Sequence, residues 1–269
     1  MLNNIHIALT VLIALLFASA YYLGRRSMRT PPASDQTDTP PSIGSHARLL
    51  IGLGTAFIVA LLCWRIFRNV RAAIDYLDSF LLLSFLLAAA LYYLRGNRRL
   101  AALSFHIIPM IVLILLLGAI LEIIQPESFY YERAWNSIHL ISIILGTLCF
   151  ALACVAGIVY LTADHRLKNK KIMGPVTPSR FPSLASLEKF TRWTVYPGFF
   201  LLTIAIAAGA LSIGNEQPRA KIAFALTAWL IYALLLPRAP AFRGKRSAWL
   251  SIIGFIFILA CYVAASWFK

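Results

Sequence analysis

The sequence predicts an all-α integral membrane protein, a bundle of about eight transmembrane helices. Three observations carry that reading. Of the 269 residues, 60% are hydrophobic and 13% are charged, whereas a soluble domain carries about 25% charged residues. Mean hydropathy is +0.78, more apolar surface than a water-soluble fold of this size can hide. The apolar residues come in runs of roughly 17 to 25, the length a helix needs to cross a bilayer, and the alternation of a barrel strand is absent.

The first run, Ile5–Leu23, contains Ala18-Ser19-Ala20, which imitates a leader cleavage site. No Lys or Arg precedes it, while Arg25, Arg26 and Arg29 follow it. These flanks are the reverse of a leader's, so residues 1–24 are expected to be a retained first span. Residues 25–48 form a linker, and its stretch Thr30–Ser45, rich in Pro, Ser, Thr and Asp, has nothing to bury and is expected to be flexible. Residues 49–269 are expected to form one seven-span domain. Its runs are Leu49–Phe67, Ser79–Leu94, Leu100–Ile124, Trp135–Leu161, Tyr196–Ile213, Ile222–Leu236 and Trp249–Phe268. All must be helical, because a helix satisfies its own backbone in lipid. The third and seventh of the eight runs are the shortest.

The net charge of +15 is unevenly placed. With eight spans, the loops on one side hold 18 Lys and Arg and those on the other hold 7. The positive-inside rule then puts both termini on the outer, periplasmic side of the cell (inner) membrane and the Asp164–Arg192 loop in the cytoplasm. The basic excess orients the chain and meets anionic lipid heads. Basic patches interleaved with aromatics are missing, which excludes nucleic acid as a partner.

The cysteines, Cys63, Cys149, Cys154 and Cys261, all lie in apolar runs and none forms Cys-x-x-Cys. They are expected to be buried packing residues. A covalent haem motif, a phosphate-binding glycine motif and a His-Glu-x-x-His zinc motif are absent from the sequence.

The fifth run carries the candidate chemistry. On a helix, Trp135, His139, Ser142, Gly146, Cys149, Ala153, Ala156 and Tyr160 form one stripe, small in its middle, as close-packed membrane helices require. An ionisable side chain at membrane depth faces protein, so His139 is expected to look inward. It has two readings: an inert histidine bonded to a backbone group or to Glu132, or an axial ligand to haem iron, with Trp135 one turn outward against the porphyrin. The sixth run has a similar stripe, Gly198, Leu202, Ala205, Gly209 and Ser212, and the two seams are expected to pack together. His106, in the fourth run, is the weaker second candidate. Pro109 beside it should kink that helix. His106 and His139 are expected near opposite membrane faces, so they do not clamp one haem. His6, His46 and His165 sit near span ends and suggest no chemistry. Glu122 lies near the outer end of the fourth run. In the cytoplasmic loop, Leu184, Leu187 and Phe190 recur every three residues, which suggests a short amphipathic surface helix over Pro182–Phe190 or a plain connector.

The order of several segments resembles the cytochrome c assembly protein family, most nearly its HemX-like branch. These are Trp135-Asn-Ser-Ile-His139, the small-residue span after it, Leu167-Lys168-Asn-Lys-Lys171, Pro182-Ser-Leu-Ala-Ser-Leu-Glu188, and the run Gly198 to Gly209. The resemblance implies a membrane protein that carries or presents haem on the outer face for attachment to apocytochrome c, together with other membrane proteins of that assembly. HemX-like members are linked instead to control of haem synthesis. The family cradles haem in an outer Trp-rich loop between two histidines. His139 matches the first. The loop position, Ile213–Lys221, has no Trp, and the outer end of the last run, Cys261–Lys269, has no His. Arg219 and Lys221 could meet haem propionates there.

The reading is therefore a haem-handling assembly factor, not an enzyme, and a member that has lost part of the family's haem site. The alternatives are a small-solute transporter or a scaffold subunit without haem. Transport is disfavoured because no internal repeat and no midplane Asp or Lys is visible.

Overall fold

The computed structural model describes residues 2–27, 45–68, 73–96, 100–124, 128–130, 134–168, 182–212, 219–236 and 244–267. The linker 28–44, Glu132, the loop segment 169–181 and the loop segment 213–218 lie outside the described residues. Among those described, the fold is all-α apart from two three-residue strands. In order the elements are α1 (Leu2–Ser27), α2 (Ser45–Arg68), β1 (Ala73–Asp75), α3 (Tyr76–Gly96), α4 (Ala101–Ile124), β2 (Ser128–Tyr130), α5 (Ala134–Lys168), α6 (Leu184–Ser212), α7 (Arg219–Leu235) and α8 (Lys245–Trp267). Seven of these helices are long and apolar enough to cross a membrane. The protein is a multi-pass membrane protein. The eighth helix, α7, has 17 residues, roughly 26 Å at 1.5 Å per residue, short of the ~30 Å hydrocarbon core. The third run, expected to be short, extends at both ends into a 21-residue helix.

Two helices outrun the apolar stretches that predicted them, for local reasons. Helix α5 continues past Leu161 to Lys168. An Asp164–Lys168 ion pair at 3.1 Å lies one turn apart, and His165, Arg166 and Lys168 oppose the negative end of the helix dipole. Helix α6 begins at Leu184 and runs 29 residues, so Pro182–Phe190 is not a separate surface helix. Ser183 caps it: its hydroxyl accepts the Ser186 amide at 3.2 Å. Glu188 and Arg192 pair at 2.8 Å on its first turns, while Leu187 and Thr191 are buried. Once capped, the segment continues directly into the span. Helix α4 runs through Pro109 without a break.

The chain divides into two compact units. The first holds α1 to α4: α1 packs on α2 and α4, α3 on α4, and α2 on α3. Tyr21 of α1 stacks on Phe105 of α4, with centroids 4.6 Å apart. At one end of this unit sits a buried ionic cluster. Arg65 in the last turns of α2 is 8% exposed. Its Nη2 meets Asp75 Oδ2 at 2.7 Å and its Nε donates to Asp78 Oδ1. Glu122 Oε1, near the end of α4, is 3.9 Å from Nη2. Asp78 Oδ2 also accepts the Asp75 amide at 3.2 Å, the third-position-to-cap bond of a capping box at the start of α3. One guanidinium thus ties α2, β1, α3 and α4 together. The helix runs through Arg65 to Arg68 because the Arg65 charge is neutralised where it lies.

The second unit holds α5 to α8. Helix α5 packs along α6 and α8, and α7 along α8. Its aromatic centre is Phe150 stacked on Tyr232 at 3.6 Å, both fully buried. The Tyr232 hydroxyl donates to the Ser251 carbonyl at 3.3 Å. None of the four cysteines forms a disulfide. Cys154 is buried and Cys149 and Cys261 half-buried, but Cys63 is exposed on α2. The expectation of four buried cysteines therefore fails at one position, because an apolar residue is as stable facing lipid as facing protein.

Breaking a buried ion pair from one side leaves a charge stranded. Arg65→Met is expected to lower stability by about 3–5 kcal/mol in denaturant unfolding in detergent. Glu122→Gln removes the carboxylate farthest from the guanidinium, whose Oε2 is buried without a partner, and is expected to be near neutral. Equal losses in the two variants would overturn this account of the cluster.

Candidate functional site

The two small-residue stripes meet as the sequence suggests. On α5, Ser142, Gly146, Ala153 and Ala156 are buried; on α6, Gly198, Leu202, Ala205 and Gly209 are buried. The helices approach until side chains have no room. A Cβ on Gly198 would stand 2.9 Å from Cys149 Cβ and from Phe150 Cε1, and one on Gly146 would stand 3.5 Å from the Gly198 carbonyl oxygen.

His139 lies at one end of this seam, half-buried. Its Nδ1 is 2.7 Å from the Ala205 carbonyl oxygen. A carbonyl only accepts, so Nδ1 carries the proton and donates. The bond fixes both tautomer and ring orientation, and leaves Nε2 with its lone pair in the neutral imidazole. Among the described residues, Nε2 has no hydrogen-bond partner. Gly209, one turn beyond Ala205, makes room for the ring: a Cβ there would be 3.0 Å from Nδ1 and 3.1 Å from Cε1. Of the two partners expected for an inert histidine, the backbone is the one found.

Trp135, one turn outward in the first turn of α5, is 48% exposed. It lies outside the packed seam that buries or half-buries the rest of its stripe, since α5 starts only one residue earlier. His106 belongs to the first unit. It is half-buried on α4, with its ring edge-on to Phe105 at 5.8 Å. Among the described residues, no three His, Cys, Asp or Glu side chains converge to hold a metal ion. A metal-bearing ligand at His139 must therefore bring most of its own coordination, as a porphyrin does.

What sequence reasoning missed is the Arg65–Asp75–Asp78–Glu122 cluster. Its signal was present: Arg65 and Glu122 are lone charges near the ends of two apolar runs, and a charge there needs a named partner.

The profile of the family described as "Cytochrome C assembly protein" matches residues 73–269, most of the chain. The chain belongs to the cytochrome c assembly protein family. The matched region includes both helices of the seam, His139 and Gly209. Among curated relatives, the cytochrome c biogenesis protein CcsA of Prochlorococcus marinus (strain NATL1A) is 30% identical over 115 residues, 39% of this chain and 35% of the relative. CcsA of Heterosigma akashiwo (strain NIES-293 / 8280G21-1) is 24% identical over 249 residues, 76% of this chain and 77% of that protein. CcsA of Guillardia theta is 27% identical over 154 residues, about half of each chain. Against the Prochlorococcus relatives, the match spans only about a third of their length. No solved structure matches.

If the α5–α6 seam sets the imidazole, nitrogen-15 spectra of His139 should report the Nδ1–H tautomer in the purified protein. Gly209→Ala should shift those resonances, because the new methyl displaces the ring. Gly198→Val should cost about 1–3 kcal/mol in denaturant unfolding, as overpacked cores do. An Nε2–H tautomer unaffected by Gly209→Ala would reject the geometry.

Proposed function

We propose that this chain handles haem as a cargo during cytochrome c assembly and acts as an assembly factor, not as an enzyme. In this reading His139 offers Nε2 to the haem iron at the outer face of the inner membrane, with both termini on that side. The observation that carries the proposal is the Nδ1–H···O=C bond from His139 to Ala205. Ligating histidines are commonly oriented this way: the second ring nitrogen donates to a carbonyl, which fixes the tautomer and raises the basicity of the ligating one. Family membership and the CcsA relatives support haem as the cargo. Trp135, exposed one turn away, is the aromatic surface available to a macrocycle. When bound, haem brings the redox-active iron. The chain's residues hold and orient the imidazole and seal it against α6.

A second reading follows from one sequence fact. The segment after α6, Ile213–Lys221, carries no Trp, and Cys261–Lys269 carries no His. A single imidazole leaves the other iron face open. That favours a haem-sensing or HemX-like control role, or a partner chain that completes the site.

The test is spectroscopic. The wild type, purified from haem-replete cells in mild detergent, is expected to show a Soret band and reduced-minus-oxidised haem bands. His139→Ala should lose most of that haem, while its unfolding midpoint drops far less than that of Arg65→Met. Haem content unchanged by His139→Ala would reject ligation by His139 and move attention to His106. Absence of haem from the wild type would reject the haem reading altogether. Loss of c-type cytochromes on deletion of the gene separates assembly from control of haem synthesis.

A further inference from the structure

A second site lies in the first unit, and nothing about haem is needed to argue it. Ser45, Arg48, Leu49, Gly52 and Leu53 line an open hollow of about 620 Å³ along the first turns of α2. These positions recur every three or four residues, so they form one face of the helix. Helix α3 closes the side of that face: the Tyr92 hydroxyl lies 3.8 Å from where a Cβ on Gly52 would stand. Arg48 is one turn before Gly52, and Arg95 is about one turn beyond Tyr92. Because α2 and α3 run in opposite directions, this register brings the two arginines to the same end of the hollow, close enough for their charges to act on each other.

Two neighbouring guanidinium groups repel. Among the described residues neither Arg48 nor Arg95 has an ion-pair partner, in contrast to Arg65, which meets three carboxylates. Such a pair calls for an anion with several oxygens. The hollow also has a second half. Leu49 is 64% and Leu53 51% exposed, and they continue the face away from the arginines along the membrane-spanning part of α2. A free phosphate ion would gain nothing from that strip. An anionic glycerophospholipid uses both halves: its phosphate sits between Arg48 and Arg95, within reach of the hydroxyls of Ser45 and Tyr92, and an acyl chain lies along Leu49, Gly52 and Leu53.

We propose that this hollow is a specific binding site for an anionic phospholipid. Phosphatidylglycerol is the probe. Native mass spectrometry of the full chain, delipidated in detergent and titrated with phosphatidylglycerol, should show one lipid retained more strongly than the rest. Each basic residue near an anionic lipid contributes roughly fivefold, so Arg48→Gln with Arg95→Gln should weaken that retention about thirtyfold. Each single substitution should give a part of that effect. Arg166→Gln, an exposed basic residue on α5, should leave it unchanged. Neither substituted arginine has an ion-pair partner among the described residues, so the unfolding midpoint without lipid should not move, which separates lost binding from lost folding. Phosphatidylcholine of the same chain length should bind more weakly, and excess inorganic phosphate should not displace the bound lipid. Three results would each overturn the proposal: retention unchanged in the double variant, an equal loss in Arg166→Gln, or equal affinity for phosphatidylcholine. Displacement by inorganic phosphate would also overturn it, by assigning the arginine pair to a free anion.

Discussion

The candidate site depends on the backbone approach of α5 and α6. In lipid there is no hydrophobic force to press one apolar helix on another, so contact must come from close packing and hydrogen bonds. Positions 146, 198 and 209 supply the packing by carrying no side chain, and a methyl group at 198 or 209 would collide with the facing helix. The hydrogen bond follows. Only because Gly209 leaves room can the imidazole of His139 lie on the α6 backbone and reach the Ala205 carbonyl. That carbonyl is already an acceptor within its own helix, and its second lone pair takes the histidine. The same contact that holds two helices together thus decides which nitrogen of His139 is left for a ligand.

The first unit solves the problem of a polar group at membrane depth differently. Arg65 is surrounded by Asp75, Asp78 and Glu122, so its charge is spent on structure. Desolvation makes such an arrangement a poor source of net stability, and one from which no partner can be removed cheaply. Arg48 and Arg95 are the opposite case within the same unit: basic, adjacent and, among the described residues, without a carboxylate partner. The contrast separates an internal tie from a surface that still has charge to offer.

Much of the fold was legible in the sequence because the bilayer allows few structures. Apolar run length gave every helix to within a few residues on the membrane side. The stripe spacing gave the inward face of α5, the matching face of α6, and the inward aim of His139. The errors in helix bounds share a cause: each arose where a polar contact extended a helix beyond its apolar run. Ser183 capping made Pro182–Phe190 the first turns of α6, and the Asp164–Lys168 pair lengthened α5. Hydropathy is blind to such contacts, because it averages side-chain polarity and does not register which polar groups pair.

The sequence by itself determined that the chain crosses a membrane repeatedly, that two small-residue faces exist, and that a histidine stands at the end of one. Those facts follow from side-chain type and the 3.6-residue period alone. Only the tertiary structure decided that the two faces meet each other, that His139 bonds Ala205 through Nδ1, and that Arg65 is tied to three carboxylates while Arg48 and Arg95 have no ion-pair partner among the described residues. Each of those depends on the distance between groups on different helices, a quantity set by packing and not written in any one segment.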